Sequence, residues 1–533
     1  MIGLALDRVL ERRLAALVNI RVPAVLSQGL RGLEKESLRV RRSGQLASSP
    51  HPRALGSTLC NPNITTDYSE SLIELVTPTF KSNAAMWHYL QQLQLFVHRQ
   101  LQDEVLWCAS MPCELASDAE VPIANYGRSH EGHFKEVYRR GLLTRYGGMM
   151  QAIAGIHFNY SLPKAFWPVW AEALQSRSAG AEFISARYFD LVRNFRRHGW
   201  LVSWLFGASP AICKSFLQGE HDSALAPWRD DTLYGAHATS LRMSDIGYRN
   251  RNQAAVQVSV NSLRDYLRDL MRAVHTPHPP FAALGVKVDG EYRQLTANIL
   301  QIENEYYSSM RPKRAPQSGE LTGHALARGG VEYVEMRSLD LDALSPESVT
   351  GPQLDFLEAF LLLLLLKDSP PVENSEQEAL DHNHLLITRR GRDPTLQLLR
   401  DGRPVSVQHW ASQLLDEMAG VCELLDAGDA QRPYSSALQA QRDRLAQPLL
   451  LPAAQLLREM QEHGESFARL SLRHSKAHQA LALAVAPDVE LQQSMASQAA
   501  ESLEMQARKD AGVSGSFDDY LRRRLADNNA VLA

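Results

Sequence analysis

Short segments in the first 345 residues alternate apolar and polar side chains, the pattern of β-strands with one buried face. Turns rich in Gly and Pro separate them, such as the turn at Gly44 and the stop at Pro78. We predict strands at 36–40, 72–76, 156–162, 295–305 and 331–341.

Apolar residues recur at helical spacing elsewhere in the chain. We predict helices over 1–30, 82–104, 183–206 and 263–274, and mostly helix from about residue 352, including an Ala- and Leu-rich stretch at 453–510. The mixture predicts an α+β fold. A strand-bearing catalytic region would span 1–350, and a mainly helical region, 351–533, would complete and buttress the same unit.

The longest apolar run, residues 359–366, is far shorter than the ~20 residues of a membrane span, so we predict a buried core helix and no membrane partner. The first twenty residues place charges inside an apolar helical pattern, which favours an amphipathic helix over a secretory signal. A net charge of −4 and a sequence pI of about 6.5 argue against nucleic acid as a partner.

The five cysteines form no C-x-x-C pair. Their spacing fits free thiols in a reducing cytoplasm and gives no zinc signature. A disulfide that includes Cys108 or Cys113 stays an alternative.

Acidic residues interrupt several predicted strands. Glu34 and Glu36 are two positions apart and share a strand face, which is either a solvated face or a shared metal site. Glu74 lies inside the apolar run 72–76, where an ionised carboxylate needs a partner, so we interpret it as a ligand. Asp67 fits a helix cap and a ligand equally well.

His157 and the pair Glu335 and Arg337 also lie in predicted strands. A lone strand histidine is more often a hydrogen-bonded structural residue than a ligand. Glu335 and Arg337 share a face, as an ordinary ion pair or as a metal ligand beside an Arg that grips a phosphoryl group. No Walker A motif is present, so metal ions and the basic run 311–314 would hold the phosphates of any bound ATP.

Nine ordered motifs resemble those of the proteobacterial type of glutamate–cysteine ligase (γ-glutamylcysteine synthetase) between about residues 24 and 350. They are GLEKESLRV, NITTDYSESLIELVTP, SMPCEL, YGGMMQAIAGIHFNYSLP, LFGASPAIC, TSLRMSDIGY, LQIENEYY, RPKR and GGVEYVEMRSLDL. The resemblance implies a glutamine-synthetase-like catalytic domain, a curved, funnel-like antiparallel sheet with surrounding helices.

It also implies an enzyme that uses ATP to ligate the γ-carboxylate of L-glutamate to the amine of L-cysteine through γ-glutamyl phosphate. This is the first step of glutathione biosynthesis. We expect this enzyme to be cytoplasmic and monomeric. One alternative is a related ATP-dependent carboxylate–amine ligase with a different amine acceptor. Another is a non-catalytic regulator on the same fold, which predicts loss of an essential acid or of Arg337; all of these residues are present, which argues against it.

By the same resemblance, Mg²⁺, or Mn²⁺ in its place, would be held by Glu34, Glu36, Asp67, Glu74, His157 and Glu335. Arg337 would stabilise the transferring phosphoryl group, and Arg242 would contact the substrate or intermediate. The remaining substrate-binding positions implied by the family are Tyr138, Tyr248 and Tyr307 around cysteine and Ile153 in the pocket wall.

Overall fold

A computed structural model describes residues 8–19, 23–219, 222–229, 231–247, 256–317 and 319–526. The strands are β1 (Leu30–Arg41), β2 (Ile64–Thr66), β3 (Leu72–Val76), β4 (Glu104–Leu106), β5 (Ile156–Ser161), β6 (Ala211–Cys213), β7 (Ala226–Trp228), β8 (Thr232–Tyr234), β9 (Lys287–Val288), β10 (Glu291–Tyr292), β11 (Met310–Lys313), β12 (Tyr333–Leu339), β13 (Gln397–Arg400) and β14 (Arg403–Ser406).

The helices are α1 (Arg8–Asn19), α2 (Pro23–Leu26), α3 (Asn83–Gln100), α4 (His130–Tyr146), α5 (Phe166–Ala173), α6 (Ala181–His198), α7 (Trp200–Phe206), α8 (Leu263–His275), α9 (Pro279–Ala283), α10 (Thr322–Gly329), α11 (Gly351–Leu366), α12 (Asn374–Arg390), α13 (Val407–Leu425), α14 (Pro433–Ala446), α15 (Pro452–His463), α16 (Phe467–Ala484), α17 (Val489–Ala511) and α18 (Phe517–Ala526).

The main sheet has seven strands in the order β11-β12-β5-β1-β3-β2, with β4 paired to the far end of β1. Every pair in it is antiparallel. β1 is the long central strand, and its odd-numbered residues Leu33 and Lys35 are buried on the face opposite Glu34 and Glu36. The predicted α+β class with an antiparallel sheet and surrounding helices is therefore confirmed.

Most predicted elements form close to their expected bounds. The predicted helix at 183–206 is divided by Gly199 into α6 and α7. The apolar run 359–366 lies in α11 and is completely enclosed, because α3, α6, α13 and α14 all pack against that helix. In the described part of the chain, no helix has both the length and the apolar character needed to cross a bilayer.

The predicted strand at 295–305 is wrong. The segment is a loop that ends in a single 3-10 turn, Glu303–Glu305. An isolated antiparallel bridge between Pro277 and Asn298 satisfies part of its backbone. Side chains satisfy another part: Gln301 Oε1 accepts from the amide of Leu295 at 2.9 Å, and Glu305 Oε2 accepts from the amide of Gln301 at 2.7 Å. Polar residues that a strand would have exposed are therefore buried as internal caps.

The helices after residue 350 contact the sheet-bearing part directly, since α16 packs on α3 and β4, and α17 packs on α3. The division at residue 350 stays a prediction. The five cysteines are free thiols, four of them buried and Cys60 half-buried.

Candidate active site

Strand register gathers four of the predicted metal ligands on one face of the main sheet. Residues directly opposite each other in an antiparallel pair share a face. Glu34 of β1 opposes His157 of β5, and Glu36 of β1 opposes Glu74 of β3. Because Glu34 and Glu36 are two residues apart on one strand, both pairs lie on the same face.

Hydrogen bonds fix the carboxylates of β1. His157 Nδ1 lies 2.9 Å from Glu34 Oε2, and Asn159 Nδ2 donates to Glu34 Oε1 at 2.9 Å. The backbone amide of Gly155 donates to Glu36 Oε2 at 2.7 Å. His157 Nε2 is 3.8 Å from Glu36 Oε1, so the imidazole bridges the two carboxylates.

β12 brings an acid and an arginine to the same face. Glu335 opposes Asn159 of β5, and its Oε1 lies 3.2 Å from Arg337 NH1, 3.6 Å from Lys313 Nζ and 3.8 Å from His157 Nδ1. Its other oxygen, Oε2, is buried, and no described residue donates a hydrogen bond to it. A buried carboxylate oxygen of this kind is suited to a cation.

The two sides of the face differ in electrostatics. Burial, followed by the charges of Glu34, Asp67 and Glu36, raises the pKa of Glu74 well above its ordinary value. Burial is also the main cause that raises the pKa of Glu36, and Asp67 adds to it. This side therefore carries more negative charge than its surroundings compensate.

The β12 side is compensated by cations. Burial opposes ionisation of Glu335, but the charges of Lys313 and Arg337 outweigh it and hold the pKa of Glu335 well below its ordinary value. Burial alone would lower the pKa of Arg337, and Glu335 is the main charge that raises it instead. Both groups are therefore ionised at neutral pH.

Three predicted ligands already lie at metal-binding range of one another. One ligand atom from each of Glu34, Glu74 and His157 lies within 4.8 Å of the other two. Two carboxylates and an imidazole are donors that divalent cations accept. The arrangement can hold a cation between β1, β3 and β5.

Asp67 follows β2 in the turn to β3, so the helix-cap interpretation does not apply. It lines an open cavity with an empty volume of about 730 Å³. The predicted residues Glu36, Tyr138, Tyr307 and Arg337 line the same cavity.

Arg242 is completely buried behind this cavity. Its NH2 donates to the backbone oxygen of Arg337 at 3.0 Å, and its NH1 lies 3.6 Å from Asp340 Oδ1. Asp340 in turn accepts from the hydroxyls of Ser209 at 2.7 Å and Ser240 at 2.9 Å. A buried carboxylate network therefore positions Arg242 against the strand that carries Arg337.

The structure does not place the predicted substrate-binding residues Ile153 and Tyr248 in the lining of the cavity. Ile153 is completely buried in the main hydrophobic core and is not among the residues that line the cavity. Tyr248 lies outside the described residues. Gly155 allows the side chain of Arg242 to lie close to the backbone of the chain, because a Cβ at position 155 would overlap the guanidinium of Arg242.

Sequence reasoning missed Asp340 and Arg139. Asp340 lies between Leu339 and Leu341, a weaker form of the signal that identified Glu74. Arg139 lines the cavity and donates to the carbonyl oxygen of Asp67 at 2.6 Å. No sequence pattern around Arg139, which follows Tyr138 in a helix, indicated that it belongs to the site.

A sheet face that combines carboxylates, an imidazole and half-buried cations beside a cavity is typical of enzymes that bind divalent cations and phosphate groups. The glutamate–cysteine ligase family model matches residues 14–387. This chain belongs to the glutamate–cysteine ligase family.

Relatives match along nearly the whole chain. The glutamate–cysteine ligase of Pseudomonas paraeruginosa is 46% identical over 516 residues, covering 96% of this chain and 97% of that protein. The glutamate–cysteine ligase of Alcanivorax borkumensis is 44% identical over 518 residues, covering 96% of this chain and 98% of that protein.

Solved structures agree. The crystal structure of glutamate–cysteine ligase from Francisella tularensis in complex with AMP matches with a TM-score of 0.88 and 32% identity, covering 95% of this chain and 99% of that chain. A bifunctional glutathione synthetase from Pasteurella multocida, with a TM-score of 0.70 and 22% identity over 88% of this chain and 55% of that chain, shares the fold.

Proposed function

We propose that this chain joins the γ-carboxylate of L-glutamate to the amine of L-cysteine, with conversion of ATP to ADP and phosphate. The product is γ-glutamylcysteine, and the reaction is the first step of glutathione biosynthesis. Family membership supports this. The observation that carries the proposal is the sheet face on which Glu34, Glu74 and His157 lie beside Glu335 and Arg337.

The donor set fits the proposed Mg²⁺ ions, with Mn²⁺ as the alternative. The acidic neighbours of Glu74 disfavour its ionised form. Glu335 has a buried oxygen to which no described residue donates a hydrogen bond. A divalent cation would relieve both conditions and would neutralise phosphate oxygens of the nucleotide. The residues that would hold the ions are Glu34, Glu36, Asp67, Glu74, His157 and Glu335.

In the first step, an oxygen of the glutamate γ-carboxylate attacks the γ-phosphorus of ATP, and the bond from that phosphorus to ADP breaks. Phosphoryl transfer depends on positioning and charge stabilisation more than on covalent help. Arg337 is held by its ion pair with Glu335 and lines the cavity, so its planar fork is preorganised to stabilise the transferring phosphoryl oxygens.

In the second step, the amine of cysteine attacks the carbonyl carbon of γ-glutamyl phosphate. The amine loses a proton, and phosphate leaves with the electrons of the carbon–oxygen bond. Tyr138 and Tyr307 line the cavity in which we infer that cysteine binds. Burial raises the pKa of both phenols, so they remain protonated hydrogen-bond donors at neutral pH.

The other family-implied positions complete this proposal. Arg242 would contact the substrate or intermediate from behind the cavity, where its positive charge opposes part of the rise that burial causes in the pKa of Glu36. Tyr248 would join the tyrosines around cysteine, and Ile153 would support the pocket wall.

A ligase that accepts a different amine would need the same metal ligands and Arg337, so the cavity around the tyrosines would carry the difference. Phosphate release from ATP, measured with Mg²⁺, glutamate and cysteine while each component is omitted in turn, separates the two. We expect phosphate and γ-glutamylcysteine only when both amino acids are present. Stronger release with 2-aminobutyrate, serine or another amine would favour the alternative, and no release with any amine would refute both.

A further inference from the structure

A second hydrophobic cluster lies apart from the main core, and the C-terminal helix completes it. Its buried members are Phe134 and Val137 of α4, Leu295 and Ile302 of the 295–305 loop, and Leu521 of α18. Only the last turns of α4 pack on the main core, through residues 142–143. The rest of the apolar face of α4 depends on the loop and on α18.

Rings and polar groups of α18 reinforce this contact. The ring centroids of Phe517 and His133 are 4.1 Å apart, and those of Phe517 and Tyr292 are 5.4 Å apart. Asp518 accepts from the hydroxyl of Tyr292 at 2.9 Å and from the ammonium of Lys287 at 3.1 Å. The helix α18 therefore contacts both α4 and the β9–β10 hairpin.

The helix before it, α17, caps the start of α4. Asp510 Oδ1 accepts from the backbone amides of Arg128 at 2.9 Å and Ser129 at 2.8 Å. Gly127, at φ +83°, makes room for this contact, because a Cβ there would overlap the side-chain amide of Gln506 in α17. A carboxylate at a helix N-terminus also interacts favourably with the helix dipole.

α4 contributes four side chains to the lining of the cavity: Tyr138, Arg139, Leu142 and Tyr146. Tyr138 packs against the second cluster and lines the cavity, and Arg139 lines the cavity next to it. The carbonyl oxygen of Tyr138 accepts from Gln301 Nε2 at 3.2 Å. The cavity wall that these residues form is thus continuous with a cluster that Leu521 completes.

We propose that α18, together with the Asp510 cap, is a positioning element for the amine-acceptor side of the active site. The C-terminal segment holds α4 against the 295–305 loop and so fixes Tyr138 and Arg139 around the incoming amino acid. Of the proposed metal ligands, Asp67 accepts from Arg139 of α4 through its backbone carbonyl oxygen, whereas Glu34, Glu36, Glu74, His157 and Glu335 lie on strands of the main sheet. This inference rests on the function proposed above.

The test compares Leu521→Ala with Arg523→Ala, an exposed control on the same helix. We expect Leu521→Ala to raise the KM for L-cysteine about tenfold, because a shift near 1 Å in a positioning group is costly. The KM for ATP and kcat should stay within about twofold. Arg523→Ala should match the wild type in all three constants.

A second pair covers the case in which Leu521→Ala does not fold. Asp510→Ala removes the acceptor for the amides of Arg128 and Ser129, just before α4, whereas Asp510→Asn keeps an oxygen there. We expect the Ala variant to raise the KM for cysteine and the Asn variant to restore it. Hydrogen–deuterium exchange should show faster exchange over residues 130–146 in the Ala variant only.

An unchanged KM for cysteine in the folded variants, or an equal rise in the KM of every substrate, would overturn the inference while leaving the ligase function intact. A wild-type protein that makes no γ-glutamylcysteine would instead overturn the proposed function, and the inference would fail with it.

Discussion

Replacing Glu74 with Gln is expected to stabilise the metal-free protein and to weaken its response to Mg²⁺. Burial and the neighbouring carboxylates raise the pKa of Glu74 well above its ordinary value. An acid whose pKa rises on folding costs stability, and the cost grows as the pH rises from about 4.3, the ordinary value for Glu, through the raised value. Gln has nearly the shape of Glu but carries no charge, so Glu74→Gln removes this cost to the folding stability.

The expected change in Tm follows from the pKa shift of Glu74 and the unfolding entropy of the chain. Above the raised pKa, the cost is about 1.4 kcal/mol for each pH unit between the ordinary and the raised pKa. For the 533 residues of this chain, the unfolding entropy is about 1.1 kcal/mol/K. A gain of about 1.4 kcal/mol therefore raises Tm by only about 1 °C. Mg²⁺ at about a hundred times its Kd would add about 2.7 kcal/mol to the wild type, or about 2–3 °C.

The assay is thermal unfolding of the wild type and Glu74→Gln near neutral pH, in EDTA and in excess Mg²⁺. Glu423→Gln, an exposed change on α13, is the matched control. We expect Glu74→Gln to melt above the wild type in EDTA, and to gain less than the wild type from Mg²⁺. A lower Tm for Glu74→Gln in EDTA, or equal gains from Mg²⁺, would refute the electrostatic reasoning.

Three further results are expected. Glu335→Ala and Arg337→Ala should each lower the ligation rate by about 10²–10³ or more while circular dichroism shows a retained fold; near-wild-type turnover would contradict the roles proposed for them. Because the pKa of Glu335 is lowered on folding, its contribution to stability is present above about pH 4.3 and is lost as the pH falls through the lowered value, so Glu335→Gln should lower Tm near neutral pH and should have little effect in strong acid. Gly155→Ala should displace Arg242 and lower kcat/KM at least about tenfold, whereas Gly180→Ala, whose new methyl group would meet only Ser178 at 3.6 Å, should leave it unchanged.

The strands that carry the site were predictable because their pattern is local. Alternation alone placed Glu34 and Glu36 on one face, and the awkward position of Glu74 in an apolar run indicated a special environment. Which strands become neighbours was not predictable from alternation, since the pairing of β5 with both β1 and β12 joins segments far apart in the chain. The family resemblance supplied that information.

For the 295–305 loop, the local sequence pattern gave a wrong prediction. Its apolar residues suggested a strand, but Gln301 and Glu305 use their side chains to satisfy the backbone. Such capping depends on which groups meet in the folded loop, and no periodicity reports it. The same holds for Asp340, whose partners Ser209 and Ser240 come from a distant segment.

The strand order of the main sheet also determines when each charge of the site becomes present during synthesis. β1, β3 and β5, which supply carboxylates and the imidazole, leave the ribosome long before β11 and β12, which supply Lys313 and Arg337. The growing chain therefore carries these acidic side chains before Lys313 and Arg337 are present. Completing the site requires docking of β12 across a large separation in sequence, a slow kind of contact. We expect that a divalent cation held by Glu34, Glu74 and His157 would neutralise the early strands during that interval and so favour assembly of the sheet.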